Sequence, residues 1–217
     1  MRVLLRLTKG EEIQYISHLD MQRLFQRALR RAKLPCAYSN GFNPHVLLSF
    51  ACALPVGVCS NAEYAEVQLE KFVPPTEVMN RLNAVLPAGV RVLNATEPKD
   101  DYPLVGSVIA LAEYTLVPEK EADEAIIRAL LAEKEIKIEK KTKKGMAEVD
   151  VRGLIAGLHV HENTVKATLA TSNTENLRAD KLAEVLAGRG MTIKKITREK
   201  LFVIVNGQLE EPLGEKA

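Results

Sequence analysis

Arg23, Arg27, Arg30 and Arg31 stand at i, i+4, i+7 and i+8. On a helix that spacing gathers four guanidinium groups within about 100° of arc and about 12 Å of axis. Guanidinium binds phosphate oxygens in bidentate fashion. A stripe of this kind gives an affinity that falls with salt and carries little sequence preference. The ordinary alternative is the wetted face of an amphipathic helix, which mixes acids with bases. Here the only acid is Asp20, near the N-terminal end, where a carboxylate suits the helix dipole.

Two further clusters flank the stripe. Before it come Tyr15, Ser17, His18 and Asp20. Ser17 is suited to capping the helix, and His18, oriented by Asp20, has the chemistry of a general base or a phosphate donor. The plain reading is a cap with an incidental histidine. After the stripe come Tyr38, Ser39, Asn40, Gly41, Phe42, Asn43, Pro44 and His45. Gly41 permits positive φ and Pro44 stiffens the chain before His45. Phe42 exposed on such a loop is a base-stacking platform, and its neighbours are hydrogen-bonding groups for a base edge or a phosphate. The alternative is a hairpin corner with Phe42 tucked into the core. If His18 and His45 converge, they could divide proton removal and donation in metal-free RNA cleavage. Cys36, Cys52 and Cys59 are spaced C-x15-C-x6-C, and with the histidines they form no zinc pattern. His159 and His161 alternate on a strand and are read as surface residues. Lys137, Lys140, Lys141, Lys143 and Lys144 are read as a hairpin tip protecting an edge.

The elements that position these residues follow from periodicity. Arg2–Leu7 reads as a strand and Leu19–Ala32 as a helix with Met21, Leu24, Phe25, Ala28, Leu29 and Ala32 inward. Val46–Ala53 and Ala62–Leu69 read as strands, Thr76–Leu86 as a helix and Val90–Ala95 as a strand. This order is β-α-β-β-α-β, the ferredoxin-like pattern. A similar order returns after residue 106: a strand Val108–Val117, a helix Glu121–Lys134, two hairpins (Glu135–Lys141 with Met146–Val151, Leu158–His161 with Val165–Ala170), a helix Leu177–Ala187 and a strand Ile193–Val205. The expected fold is α+β with two tandem ferredoxin-like halves, the second carrying an extra strand or hairpin. The expected boundaries are 1–97 and 107–206, with a linker at 98–106 and a polar, frayed tail at 207–217.

Of the 217 residues, 47% are hydrophobic and 27% charged, which suits a globular chain. Net charge is only +2, yet residues 1–60 hold eight Lys/Arg against three acids. That asymmetry points to an anionic partner for the N-terminal part. No run approaches the ~20 apolar residues of a membrane span, and the N-terminus carries no secretory signal. An odd number of cysteines fits a reducing cytoplasm. No cofactor or metal is expected.

Residues 15–35 and 38–64 resemble the radical-SAM-linked bacterial protein family, a domain of unknown function fused to or encoded near radical SAM proteins. The resemblance lies in Ser17-His18-Leu19-Asp20, Arg30-Arg31 and Gly41-Phe42-Asn43-Pro44-His45. Family members usually carry Pro after that last His, where this chain has Val46. The resemblance implies a radical SAM protein as partner. The cysteine spacing does not suit one cluster-binding loop, so this chain is not itself a radical SAM enzyme. The two halves are also similar in organisation to CRISPR repeat-processing endoribonucleases, an analogy of fold and composition only. The leading expectation is an RNA-binding accessory protein, not catalytic on its own, acting with a radical SAM enzyme in RNA modification. The alternatives are a protein–protein docking module without nucleic acid and a metal-free endoribonuclease.

Overall fold

A computed structural model describes residues 1–142 and 145–212. Lys143 and Lys144 of the expected hairpin tip, and residues 213–217 of the expected tail, lie outside the described residues. The chain is α+β, with mostly antiparallel strands and few helices, and divides into two compact units. The first comprises Met1–Ile109 with Leu201–Ala217, and the second Ala110–Lys200.

In the first unit, β1 (Arg2–Lys9) alternates so that Val3, Leu5 and Leu7 enter the core. Helix α1 (His18–Arg31) begins where the Ser17 hydroxyl oxygen accepts from the Asp20 N–H. It ends at Lys33, whose positive φ of 53° turns the chain so that the Leu34 N–H reaches the Leu29 carbonyl. Arg30 and Arg31 sit in its last turn, where cations complement the helix dipole. Its inward side buries Met21, Phe25, Ala28 and Leu29. β2 is only Leu48–Phe50, shorter than the Val46–Ala53 read from alternation. β3 (Val58–Gln68) starts four residues earlier than expected. Helix α2 (Pro75–Asn83) opens on a proline suited to a first helical position and buries Val78 and Leu82. β4 (Val92–Thr96) completes the set. β1 pairs antiparallel with β3 and with β4, and β2 pairs antiparallel with β3. β1 therefore lies between β4 and β3, and β2 pairs with β3 off the main strand path. Helix side chains Phe25 and Leu29 meet Ala65, Val67, Val3 and Leu5 in one apolar cluster.

The proline- and charge-rich segment read as a linker is packed against the first unit. Arg2 Nη1 donates to the Tyr102 carbonyl at 2.6 Å, and Arg2 pairs with Glu66 at 3.1 Å. Glu66 also accepts from the Val105 N–H at 2.8 Å. Val105 is buried and opens a short unforeseen helix, α3 (Val105–Val108). Gly106 lies so close to β2 that a Cβ there would stand 2.8 Å from the Ala51 carbonyl oxygen. The polar tail likewise differs from expectation, because β11 (Gln208–Glu210) pairs with Val203–Val205.

In the second unit, β5 (Ile109–Pro118) pairs antiparallel with β9 (Thr164–Ala170), and β9 with β8 (Ile155–His161). The β8–β9 turn places Glu162 and Asn163 at φ 46° and 58°, the left-handed pair that a two-residue hairpin needs. Helix α4 (Glu124–Ala132) is capped by Asp123, whose carboxylate accepts from the Ala125 N–H at 2.7 Å. β6 (Lys137–Thr142) and β7 (Gly145–Asp150) make a separate two-stranded sheet. Helix α5 (Ala179–Ala187) buries Leu182 and Leu186, and β10 (Ile193–Val205) runs from this unit into the first.

Candidate functional site

All four arginines of α1 are exposed. Arg23 donates to Asp20 at 2.9 Å, whereas Arg27, Arg30 and Arg31 form no ion pair among the described residues. Asp20 is held in turn by the Ser17 hydroxyl, which donates to it at 2.7 Å. That hydrogen bond first, and Arg23 second, keep the Asp20 carboxyl below the usual carboxylate range. The acid of this face is thus committed to the helix start, and three guanidiniums carry no ion pair among the described residues.

Arg23, Arg27 and Arg31 line a groove of about 540 Å³ whose opposite wall is Val85 and Pro87, just past α2. Its base is apolar, formed by Ile16, Leu24 and Ala28. Cations beside an apolar floor have the chemistry for a chain of phosphates that carries flat rings.

The loop Ser39–His45 is anchored at both ends. Tyr38 and Val46 form a β-bridge, the Ser39 N–H donates to the His45 carbonyl, and the His45 N–H donates to the Ser39 hydroxyl oxygen at 3.1 Å. Ser39 Oγ also lies 2.8 Å from His45 Nδ1. Either tautomer leaves Nε2 without a partner among the described residues, as an N–H where the hydroxyl donates to Nδ1 and as an acceptor where Nδ1 donates to the hydroxyl. Asn40, Gly41, Asn43 and Pro44 are exposed between these ties, with Gly41 at φ 122°. Phe42 at the tip is fully exposed, which overturns the alternative that tucked it into the core. Tyr38 is exposed as well.

The structure does not bring every candidate together. The hollow bordered by His45 also includes Arg2, Glu66 and Leu104 and none of the four arginines of α1. His18 sits elsewhere. Its ring meets Phe50 edge-on at 5.8 Å, contacts the Gln22 amide at 3.2 Å, and borders a cavity of about 10 Å³ with Lys9 and Glu63. Neither cavity contains the other histidine. Sequence reasoning missed Arg2, Glu66 and Leu104 beside His45, because nothing local links a first strand to a segment 100 residues later. His159 and His161 lie on β8, with His161 3.9 Å from Glu162. Among the described residues no three His, Cys, Asp or Glu side chains gather as a metal site, and no helix is long and apolar enough to cross a membrane.

Comparisons with known proteins end on a family without an assigned role. No curated protein matches the chain. Among solved structures, a chain of a Cbf5-Nop10-Gar1 complex is 10% identical with a TM-score of 0.45, covering 92% of this chain and 48% of its own. A pseudouridylate synthase is 10% identical with a TM-score of 0.37, covering 96% of this chain and 64% of its own. This chain therefore spans about half of the one and under two thirds of the other, and likeness at these scores carries nothing about activity. The model of a family described as "Uncharacterized protein conserved in bacteria (DUF2344)" matches residues 2–179.

Proposed function

This chain belongs to that bacterial family, and we propose that it is an RNA-binding accessory protein whose first helix holds the phosphates. The observation that carries the proposal is the set of three exposed guanidiniums in α1 that form no ion pair among the described residues, two of them lining one groove. Arg27 and Arg31 engage successive phosphates, Arg30 extends the field, and Phe42 offers a ring for stacking. We include in the proposal the tandem ferredoxin-like description, supported in the first unit by β1 lying between β4 and β3, by the pairing of β2 with β3, and by helices after β1 and β3. A radical SAM enzyme as partner is included on the Ser17–Asp20 and Gly41–His45 motifs alone.

Filter binding of single-stranded RNA to the wild type and to Arg27→Ala plus Arg31→Ala tests the reading. Each lost phosphate contact on a single strand lowers the salt slope by about 0.7. The double variant is therefore expected to bind at least about tenfold more weakly at low salt, with a slope shallower by about 1.4. Unchanged affinity, or no affinity of the wild type for any RNA at low salt, removes the proposal. The full exposure of Phe42 favours a second reading, a docking module for a protein partner. A stoichiometric complex that survives nuclease and is lost in Phe42→Ala supports that reading instead.

A further inference from the structure

The face of the first unit's sheet turned away from α1 and α2 carries a hollow of about 240 Å³ between the Ser39–His45 loop and the Tyr102–Val105 strap. Its floor is the Arg2–Glu66 ion pair. Glu66 is only 5% exposed and is saturated by Arg2 and the Val105 N–H. The two charges cancel, so the floor offers no net attraction to a bare phosphate. Leu47 and Leu104 are among its apolar lining, and Leu104 is 60% exposed.

Around that lining stand hydrogen-bonding groups with no partner among the described residues. They are the Gln68 amide, the Ser49 hydroxyl and Nε2 of His45, whose Nδ1 is occupied by Ser39. Beneath them Arg2 Nε is buried without an acceptor, although buried donors are as a rule satisfied. A neutral floor, two aliphatic side chains and a rim of amide, hydroxyl and imidazole fit a flat heterocycle with donors and acceptors along one edge. The volume lies below the roughly 300–1,000 Å³ of pockets for drug-sized ligands, which suits a single ring system. An amide side chain such as that of Gln68 matches a base edge in bidentate fashion.

We propose that this hollow takes one unpaired nucleobase, read by Gln68, Ser49 and His45 and clamped by Leu47 and Leu104. The base belongs either to a bound RNA strand or to a free nucleotide, and only the first source rests on the RNA reading above.

Titrating the full-length chain with AMP, GMP, CMP, UMP and ribose 5-phosphate, followed by amide NMR, tests it. At least one nucleotide is expected to shift the His45, Ser49 and Gln68 amides to saturation, while ribose 5-phosphate leaves them in place. Gln68→Ala should weaken that nucleotide at least about fivefold. Leu104→Trp, which fills the hollow from an exposed position, should abolish its binding. No shift with any of the four nucleotides, an equal shift with ribose 5-phosphate, or unchanged affinity in both variants overturns the proposal. A short single-stranded RNA, intact or with one abasic residue, separates the sources. Weaker RNA binding in Gln68→Ala and with the abasic strand assigns the base to RNA. Loss of nucleotide binding alone assigns it to a free nucleotide. Nucleotide binding that persists when Arg27→Ala plus Arg31→Ala leaves RNA affinity unchanged sinks the phosphate-holding role of α1 and spares the hollow.

Discussion

Asp20 is the one acid on α1, and its state decides how many guanidiniums face a polyanion. The Ser17 hydroxyl bond and then Arg23 lower its pKa below 3.8, so it is charged throughout the neutral range. Any stability it contributes is already whole above pH 3.8, the neutral range included, and is lost as pH falls below that value. RNA affinity is therefore expected to be flat in pH between 5 and 8 as far as Asp20 is concerned. Asp20→Asn should release Arg23, strengthen RNA binding and steepen the salt slope by about 0.7. An identical slope for this variant and the wild type would show that Arg23 takes no part. Cys36 behaves in the opposite sense. Burial first, and Glu70 second, push its thiol up to about 11 from 9.0. The thiolate is disfavoured in the folded chain, so the contribution of Cys36 to stability is whole below pH 9 and fades between 9 and 11. Native protein at pH 8 is expected to leave Cys36 unalkylated by iodoacetamide, and denatured protein to expose it, as peptide mass mapping would record. Alkylation of Cys36 at equal rates in both states would contradict this.

Among the elements, α1 was the most legible. Its 3.6-residue period and its cap are both local, so the reading Leu19–Ala32 lies within one residue of His18–Arg31 at each end. Replacing Ser17 with Ala removes the oxygen that accepts from Asp20 N–H, at a cost of roughly 0.5–2 kcal/mol in chemical denaturation. No change in the unfolding midpoint would mean that another group satisfies that N–H. β2 was overread because alternation continues on both sides of Leu48–Phe50, while pairing with β3 stops at the Ala65–Val67 register. The strap at 98–106 was read as a linker because prolines and charges look the same whether a segment is free or tied. What ties it is Arg2 meeting Glu66 and Tyr102, a pairing across 64 and 100 residues that no local window contains. Gly106→Ala should loosen it, since the added methyl meets the Ala51 carbonyl at 2.8 Å and backbone must move. Faster hydrogen exchange at the Val105 N–H is the expected readout. For the candidate site, residue types pointed to the arginine face and to the Gly41–His45 loop. They were silent on the exposure of Phe42, which depends on the Ser39–His45 hydrogen bonds.

At the scale of the whole molecule, the first unit is discontinuous in sequence: it recruits Leu201–Ala217 after the second unit is complete. Within it Arg6 Nη1 lies 3.2 Å from a Glu211 carboxylate oxygen, and Val203–Val205 pair with Gln208–Glu210. The arginine helix is encoded near the start of the chain, but the unit that supports it is finished by the last strands. Ribosomes add about 5–20 residues per second, so the roughly 90 residues of the second unit delay that finish by about 5–20 s. During the interval the cationic face rides on an unclosed scaffold. A nonsense codon placed shortly after Lys200 would leave every arginine in the nascent product and still deprive the cell of their platform.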